Sequence, residues 1–236
     1  MNLVKTKQNK SKLLFILPKK ETFSHKRIFT LFEGIDDFKI EYFNIDGAKK
    51  IEIKNLCLSN KKTKSFDYLF NFLSPAYVSQ QVLSIISKAS INFHPAPEYY
   101  PGVGSSCYAL YNGDEQYSVV AHHMLEQIDT GPIIAQTSFD ISSVRSSQQL
   151  NSLAYEQCFF LLNKVLNLIE IGDIYLKKTI NDWRRKPITR KEFDQFLKLG
   201  DIHLDEDQRK KLLSADHPQF KGAYFEVEGR RFYAEK

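Results

Sequence analysis

The feature that most constrains this chain is a rhythm. Through its first 140 residues, short apolar runs alternate with segments of helical spacing. Leu13–Leu17, Phe38–Ile45, Asp67–Leu73, Ile91–His94, Ser118–Met124 and Ile133–Phe139 read as strands. Phe23–Glu33 and Ala76–Ala89 read as helices between them, the second opened by Ser74 as N-cap and Pro75 at the first helical position. Parallel strands need a crossover, commonly a helix, so this alternation predicts an α/β fold. The expected architecture is a Rossmann-like, mostly parallel sheet with helices on both faces.

The remainder changes style. Ser146 and Gln149 make a capping box ahead of a long helix whose apolar positions (Leu150, Leu153, Ala154, Leu161, Val165, Leu168) recur at helical spacing. Phe159 and Phe160 are assigned to its core side. Trp183-Arg184-Arg185-Lys186-Pro187 reads as a linker or surface crossing, followed by short helices near 190–199 and 204–213. Residues 223–233 alternate around Gly229 and read as a β-hairpin. An isolated hairpin is marginal in water, so this one must pack on the body or on a second subunit. The expected division is 1–182 as the main domain and 183–236 as a C-terminal helical and hairpin extension.

Composition narrows the class. A chain of 236 residues, 42% hydrophobic and 26% charged, can bury a core without staples. Three cysteines (Cys57, Cys107, Cys158) are an odd number without zinc spacing, which argues against a disulfide framework and for a reducing compartment. Leu13–Leu17 is too short for a signal core or a membrane span. Residues 1–12 read as a solvated lead-in and the expected location is the cytoplasm. Charge is uneven: residues 1–65 hold 15 basic and 7 acidic side chains. That excess is either a solvated face or a site for an anion.

Chemistry concentrates between residues 91 and 133. Asn92 and His94 are two apart at the end of an apolar strand, hence on one face, and Pro95 stops the strand. In open α/β sheets, sites lie outside the carboxyl ends of strands. Tyr99-Tyr100-Pro101-Gly102-Val103-Gly104 is a loop whose glycines suggest a close approach. His122-His123-Met124 ends a later apolar run, with one imidazole expected inward and one outward. Asp129-Thr130-Gly131-Pro132 makes a polar turn before Ile133-Ile134. No third ligand completes a metal pattern.

Together, Asn92-Phe93-His94-Pro95, Tyr100-Pro101-Gly102, His122/His123-Met124 and Asp129-Thr130-Gly131-Pro132-Ile133-Ile134 resemble the folate-dependent formyltransferase family, best over residues 66–140. That family includes glycinamide ribonucleotide transformylase, methionyl-tRNA formyltransferase and the nucleotide-sugar N-formyltransferases. The resemblance implies Asn92, His94 and Asp129 as catalytic residues. Asn92 would donate to an oxyanion, His94 would act as general base, and Asp129 would either orient His94 or relay a proton. It implies 10-formyltetrahydrofolate as co-substrate, no metal, and folate contacts at Phe72, Leu73, Ser74 and Asp129.

The chain is shorter than the tRNA members, and Ala96–Gly104 and His217–Phe225 look like the sugar branch. Ser118 departs from the family, which usually has Gly there. The implied activity is formyl transfer to a nucleotide-linked amino sugar, dTDP-4-amino-4,6-dideoxyglucose above all, by a homodimer without nucleic-acid or membrane partners. The implied product feeds lipopolysaccharide O-antigen. Lys19 and Lys20 would meet the pyrophosphate, and Tyr100 and Gly102 would line the substrate. Tyr224 or Phe225 would stack on the base, against the alternative that they are core or interface aromatics. Other acceptors (methionyl-tRNA, glycinamide ribonucleotide), a catalytically inactive binding protein, and a hydrolase releasing formate remain as alternatives.

Overall fold

The computed structural model describes residues 10–18, 23–33, 35, 38–45, 49–52, 66–172, 182–200, 203–216 and 221–233. The chain divides into two units: Met1–Asn92 with His123–Glu126, and Phe93–His122 with Gln127–Lys236.

The first unit holds β1 (Ser11–Pro18), α1 (Phe23–Phe32), β2 (Phe38–Ile45), β3 (Lys50–Ile51), β4 (Phe66–Phe72), β5 (Tyr77–Val78), α2 (Gln80–Leu83) and most of β6 (Ile86–His94). Its main strands run in the order β2-β1-β4-β6. β1 pairs in parallel with β2 and with β4, Leu13 facing Ile40 on one side and Tyr68 on the other. Leu13 to Leu17 are buried without a break, as expected of a strand covered on both faces. Alternation then sorts them. The Phe15 ring meets Phe32 of α1 and Phe70 and Phe72 of β4. Leu14 and Ile16 join Leu69, Val78 and Val82 in a separate cluster.

One expected element dissolves. Ala76–Ala89 is not a helix. Tyr77 and Val78 pair with Lys50 and Ile51, one helical turn follows with Ser79 as its N-cap, and β6 begins at Ile86. The Ser74 hydroxyl accepts from the Ala76 N–H in a local turn instead of capping a helix. Val78, Val82, Ile85 and Ile86 are β-branched and favour extended backbone, and the apolar spacing hid that preference.

The second unit holds the end of β6, α3 (Ser105–Asn112), β7 (Gln116–His123, to His122), β8 (Ile133–Asp140), α4 (Ser147–Glu170), α5 (Arg190–Leu197), α6 (Glu206–Ser214) and the hairpin β9 (Tyr224–Val227)–β10 (Arg230–Tyr233). β7 and β8 are antiparallel, so the architecture is a mixed, mostly parallel sheet with helices, as the α/β reading expects. The ladder is irregular between Ala121 and His122. α3 was not expected from the sequence; left-handed Gly104 and Gly113 flank it. In α4 the Ser146 hydroxyl accepts from the Gln149 N–H, while the Gln149 side chain accepts from Arg145 rather than from the cap residue. Phe159 is buried, but Phe160 is 57% exposed and leaves the core side to which it was assigned. Neighbours in a helix are about 100° apart, so a Phe pair cannot share one face.

Thr189 and Glu192 form a capping box on α5. The hairpin turns on Glu228 and Gly229, both at positive φ, as a two-residue turn requires. Tyr224 is buried with Cys107, Leu197, Leu199 and Ala215, so the hairpin packs on its own chain. Among the described residues no helix is long and apolar enough to cross a membrane.

Candidate active site

His94 closes β6, and Pro95 prevents the strand from continuing. Its imidazole is buried, with Nε2 3.3 Å from the Tyr100 carbonyl oxygen and Nδ1 3.6 Å from Oδ2 of Asp129. The second distance is an electrostatic contact and not a hydrogen bond. Asp129 is fastened elsewhere. Its Oδ2 accepts the Gly102 N–H at 2.8 Å, and its Oδ1 lies 3.3 Å from Nε2 of His122. Asp129 takes the left-handed conformation at φ 46°, which short polar side chains tolerate. Trp183 completes the arrangement: its Nε1–H donates to the Gly131 carbonyl at 2.8 Å, and its ring meets both imidazoles edge-on.

The loop between is built for this. Gly102 sits at φ 89°, where a Cβ would fall 2.2 Å from the Ile188 carbonyl oxygen. The approach is close because Val103 N–H donates to Ile188 and Ile188 N–H donates to Pro101. Tyr100 is turned away from His94 at its hydroxyl, which donates to Asp114 and accepts from Asn112. Burial and the Asp114 carboxylate push that phenol up to about 12.

The electrostatics separate the two key groups. Burial pulls the His94 imidazole below its ordinary 6.5, only partly opposed by Asp129. Burial raises the Asp129 carboxyl, yet His94, His122 and the Gly102 N–H outweigh it and hold the group well below the usual carboxylate range. At neutral pH the cluster therefore pairs a firmly ionised carboxylate with a neutral His94. Among the described residues no group of three His, Cys, Asp or Glu side chains is arranged to hold a metal ion.

The other expected residues fall in separate places. Asn92 is in the first unit, where its Oδ1 accepts from Nδ2 of Asn71 at 2.9 Å. Phe72 is fully buried beside Phe15, which leaves only its backbone for a ligand. Leu73 has φ 52°, an outlier for a bulky side chain, and Ser74 follows it. Lys19 and Lys20 lie outside the described residues, as do 217–220. Tyr224 is buried against Tyr233, with the Arg231 guanidinium 4.3 Å above its ring, and Phe225 packs on the same cluster. Their surroundings are the core alternative raised above. Three neighbours of the expected residues were not foreseen: His122 as a partner of Asp129, Trp183 against the two imidazoles, and Asn71 as a partner of Asn92. A polar residue inside the run Phe70-Asn71-Phe72 and the chain's one Trp were the available signals.

Residues 75–162 match the formyl transferase family model. Over this segment, 37% of its length, the chain is similar to the formyl transferase family. The segment holds Asn92, His94, Gly102, His122 and Asp129, whereas Asn71 and Trp183 lie outside it. A methionyl-tRNA formyltransferase of Thermotoga neapolitana is 27% identical over 130 residues, 54% of this chain and 39% of that protein. The chain spans between a third and a half of the length of the curated relatives it matches first.

Two solved structures share this fold along nearly the whole chain. One is a 4-N formyltransferase from Francisella tularensis, with TM-score 0.69, 18% identity, and coverage of 94% of this chain and 96% of that one. The other is an N-formyltransferase from Helicobacter canadensis in complex with folinic acid and dTDP-3-aminofucose, with TM-score 0.63, 14% identity, and coverage of 94% and 86%.

Proposed function

We propose that this protein transfers a formyl group from 10-formyltetrahydrofolate to the amino group of a nucleotide-linked amino sugar, with dTDP-4-amino-4,6-dideoxyglucose as the first substrate to test. The observation that carries the reading is the buried His94–Asp129–His122 cluster, tied by the Gly102 N–H and lying within the family-matched segment. Its chemistry fits acyl transfer to an amine. The folate supplies an activated formyl carbon. Attack by the amine forms the new C–N bond, puts negative charge on the formyl oxygen and leaves a proton to remove from nitrogen. Asn92 donates an N–H to that oxygen, an interaction worth about 3–4 kcal/mol in comparable sites. His94, neutral at pH 7, takes the amine proton. The bond to the folate nitrogen then breaks, and that nitrogen recovers a proton.

The assignment of Asp129 follows from its charge. A carboxylate held so far below its usual range is a poor proton acceptor, which supports a role in stabilising and orienting protonated His94 over a proton relay. The sugar branch draws support from the Helicobacter canadensis structure, bound to a dTDP-amino sugar, whose fold matches 94% of this chain. The same reading has the protein act as a cytoplasmic homodimer that supplies a surface polysaccharide.

The test offers 10-formyltetrahydrofolate with a panel of amines and follows folate absorbance. Turnover of dTDP-linked amino sugars is expected. Turnover of glycinamide ribonucleotide or charged initiator tRNA without amino sugars rejects the substrate class, and formate release without any acceptor rejects transfer. His94→Ala and Asn92→Ala proteins that fold but keep activity within about tenfold of the parent reject the assigned roles.

A further inference from the structure

Asn71 stands in β4 between the fully buried Phe70 and Phe72. It is itself only 3% exposed, and its Oδ1 is buried with no hydrogen-bond partner among the described residues. An apolar residue would avoid that penalty, so the side chain is present for its other end. There, Nδ2 donates to the Ser74 carbonyl at 3.2 Å and to Oδ1 of Asn92 at 2.9 Å.

These two bonds fix a chain of orientations. A backbone carbonyl only accepts, so the end of the Asn71 amide that meets Ser74 must be the NH2. An NH2 needs an acceptor, so the end of the Asn92 amide facing Asn71 must be the carbonyl. The donor end of Asn92 is therefore its other end. A half-turn about χ2 exchanges the oxygen and nitrogen of an asparagine amide, so each hydrogen bond it makes helps to set its sense.

We propose that Asn71 is a positioning residue: the Ser74 carbonyl–Asn71–Asn92 chain holds the Asn92 amide in the sense that offers N–H, and not C=O, to the formyl oxygen. The inference rests on the oxyanion role proposed for Asn92. It differs from a packing role in what each substitution does. Asn71→Asp keeps size but, ionised at about pH 8.5, offers only acceptors, so it draws the Asn92 NH2 toward itself and reverses the amide. Asn71→Leu offers neither donor nor acceptor and only removes this hold.

The experiment measures kcat and KM for both variants, alone and in an Asn92→Ala background, with thermal unfolding as a check on folding. Asn71→Asp is expected to lower kcat on the order of 100-fold with KM little changed, and Asn71→Leu only a few-fold although its thermal midpoint holds or rises. In the Asn92→Ala background Asn71→Asp should cost almost nothing further. Side-chain amide hydrogen exchange by NMR reads the orientation without catalysis: Asn71 N–H protons are protected in the parent, and protection of the Asn92 N–H protons rises in Asn71→Asp.

A full additional loss in the Asn92→Ala background, a larger kcat loss in Asn71→Leu than in Asn71→Asp, or protection of the Asn92 N–H protons in Asn71→Asp no greater than in the parent overturns the positioning role. Should Asn71→Asp not fold, the parent exchange pattern and Asn71→Leu decide alone, since fast exchange at Asn71 in the parent is equally fatal. Parental activity in Asn92→Ala fails the underlying catalytic reading instead, and the exchange data distinguish the two failures.

Discussion

Two aspartates of the second unit, one in the strand-end region and one in the C-terminal helix and hairpin, make an instructive pair. Both Asp129 and Asp194 titrate below an ordinary carboxylate. Asp194 is held down first by Arg231, whose guanidinium grips both its oxygens at 2.6 and 2.8 Å on an exposed surface. Asp129 overcomes burial through two imidazoles and a backbone N–H. The direction of the shift is the same, and the chemistry is not. A guanidinium stays charged at every relevant pH, so Asp194 is locked in a structural pair. An imidazole changes charge near neutrality, so Asp129 is coupled to a group able to move a proton. A perturbed carboxylate marks a candidate site when its partner titrates, and only a strut when its partner does not.

The sharpest way to break this contrast is Asp129→Asn. Removing the charge beside His94 is expected to lower kcat/KM for formyl transfer by about 10²–10⁴-fold, measured with the amino-sugar nucleotide as acceptor. A loss under about tenfold would make Asp129 another strut. Next comes Gly102→Ala. The new Cβ would meet the Ile188 backbone in a left-handed conformation and shift the N–H that holds Asp129. A cost of roughly 2–4 kcal/mol in urea unfolding is expected, with activity falling in the protein that still folds.

The third effect is smaller and depends on pH. Folded His94 binds its proton below 6.5, the value it recovers on unfolding, so the unfolded state takes up the proton first as pH falls. This contribution to stability is complete above about pH 6.5 and drains away below it, by at most about 1.4 kcal/mol per pH unit. Asp129 adds a loss of its own only once pH drops below about 4, its unfolded range. Urea unfolding between pH 7.5 and 5 should therefore weaken in the parent and run flatter in His94→Asn. Because Asp129 raises the His94 value, Asp129→Asn should move the acid limb of the rate profile to still lower pH. Movement to higher pH would mean the two groups are not coupled as described.

Much of this was readable before any coordinates, and the unread part has a physical pattern. The strand at Leu13–Leu17 was visible because an apolar run closed by a proline has few other fates. His94 and Asp129 were visible because Pro95 and Gly131-Pro132 fix where their elements end. Residues 76–89 misled because Val and Ile fall at helical spacing while preferring extended backbone, and the partner that decided the matter, Lys50-Ile51, was too short to notice. Phe160 was misplaced by treating a pair as one position. Asn71, His122 and Trp183 escaped because their roles arise only from long-range meetings: Asn71 with Asn92, His122 with Asp129, and Trp183 with both histidines. A single sequence carries no trace of such encounters.

The smallest expected effect is the one that completes the contrast. Asp194→Asn removes one partner of an exposed pair that solvent and salt already screen. It also weakens the bond that the Tyr224 hydroxyl donates to that carboxylate at 3.1 Å, but an asparagine oxygen can still accept it. Stability should fall far less than in Gly102→Ala, and the remaining difference should shrink in high salt. Formyl transfer should be unchanged, because Arg231 and Tyr224 belong to a cluster apart from the imidazoles. Matched assays of Asp129→Asn and Asp194→Asn at two salt concentrations decide the matter. A loss of activity in the second that rivals the first would mean that the hairpin's ion pair reaches the chemistry, and that partner type does not separate site from strut in this chain.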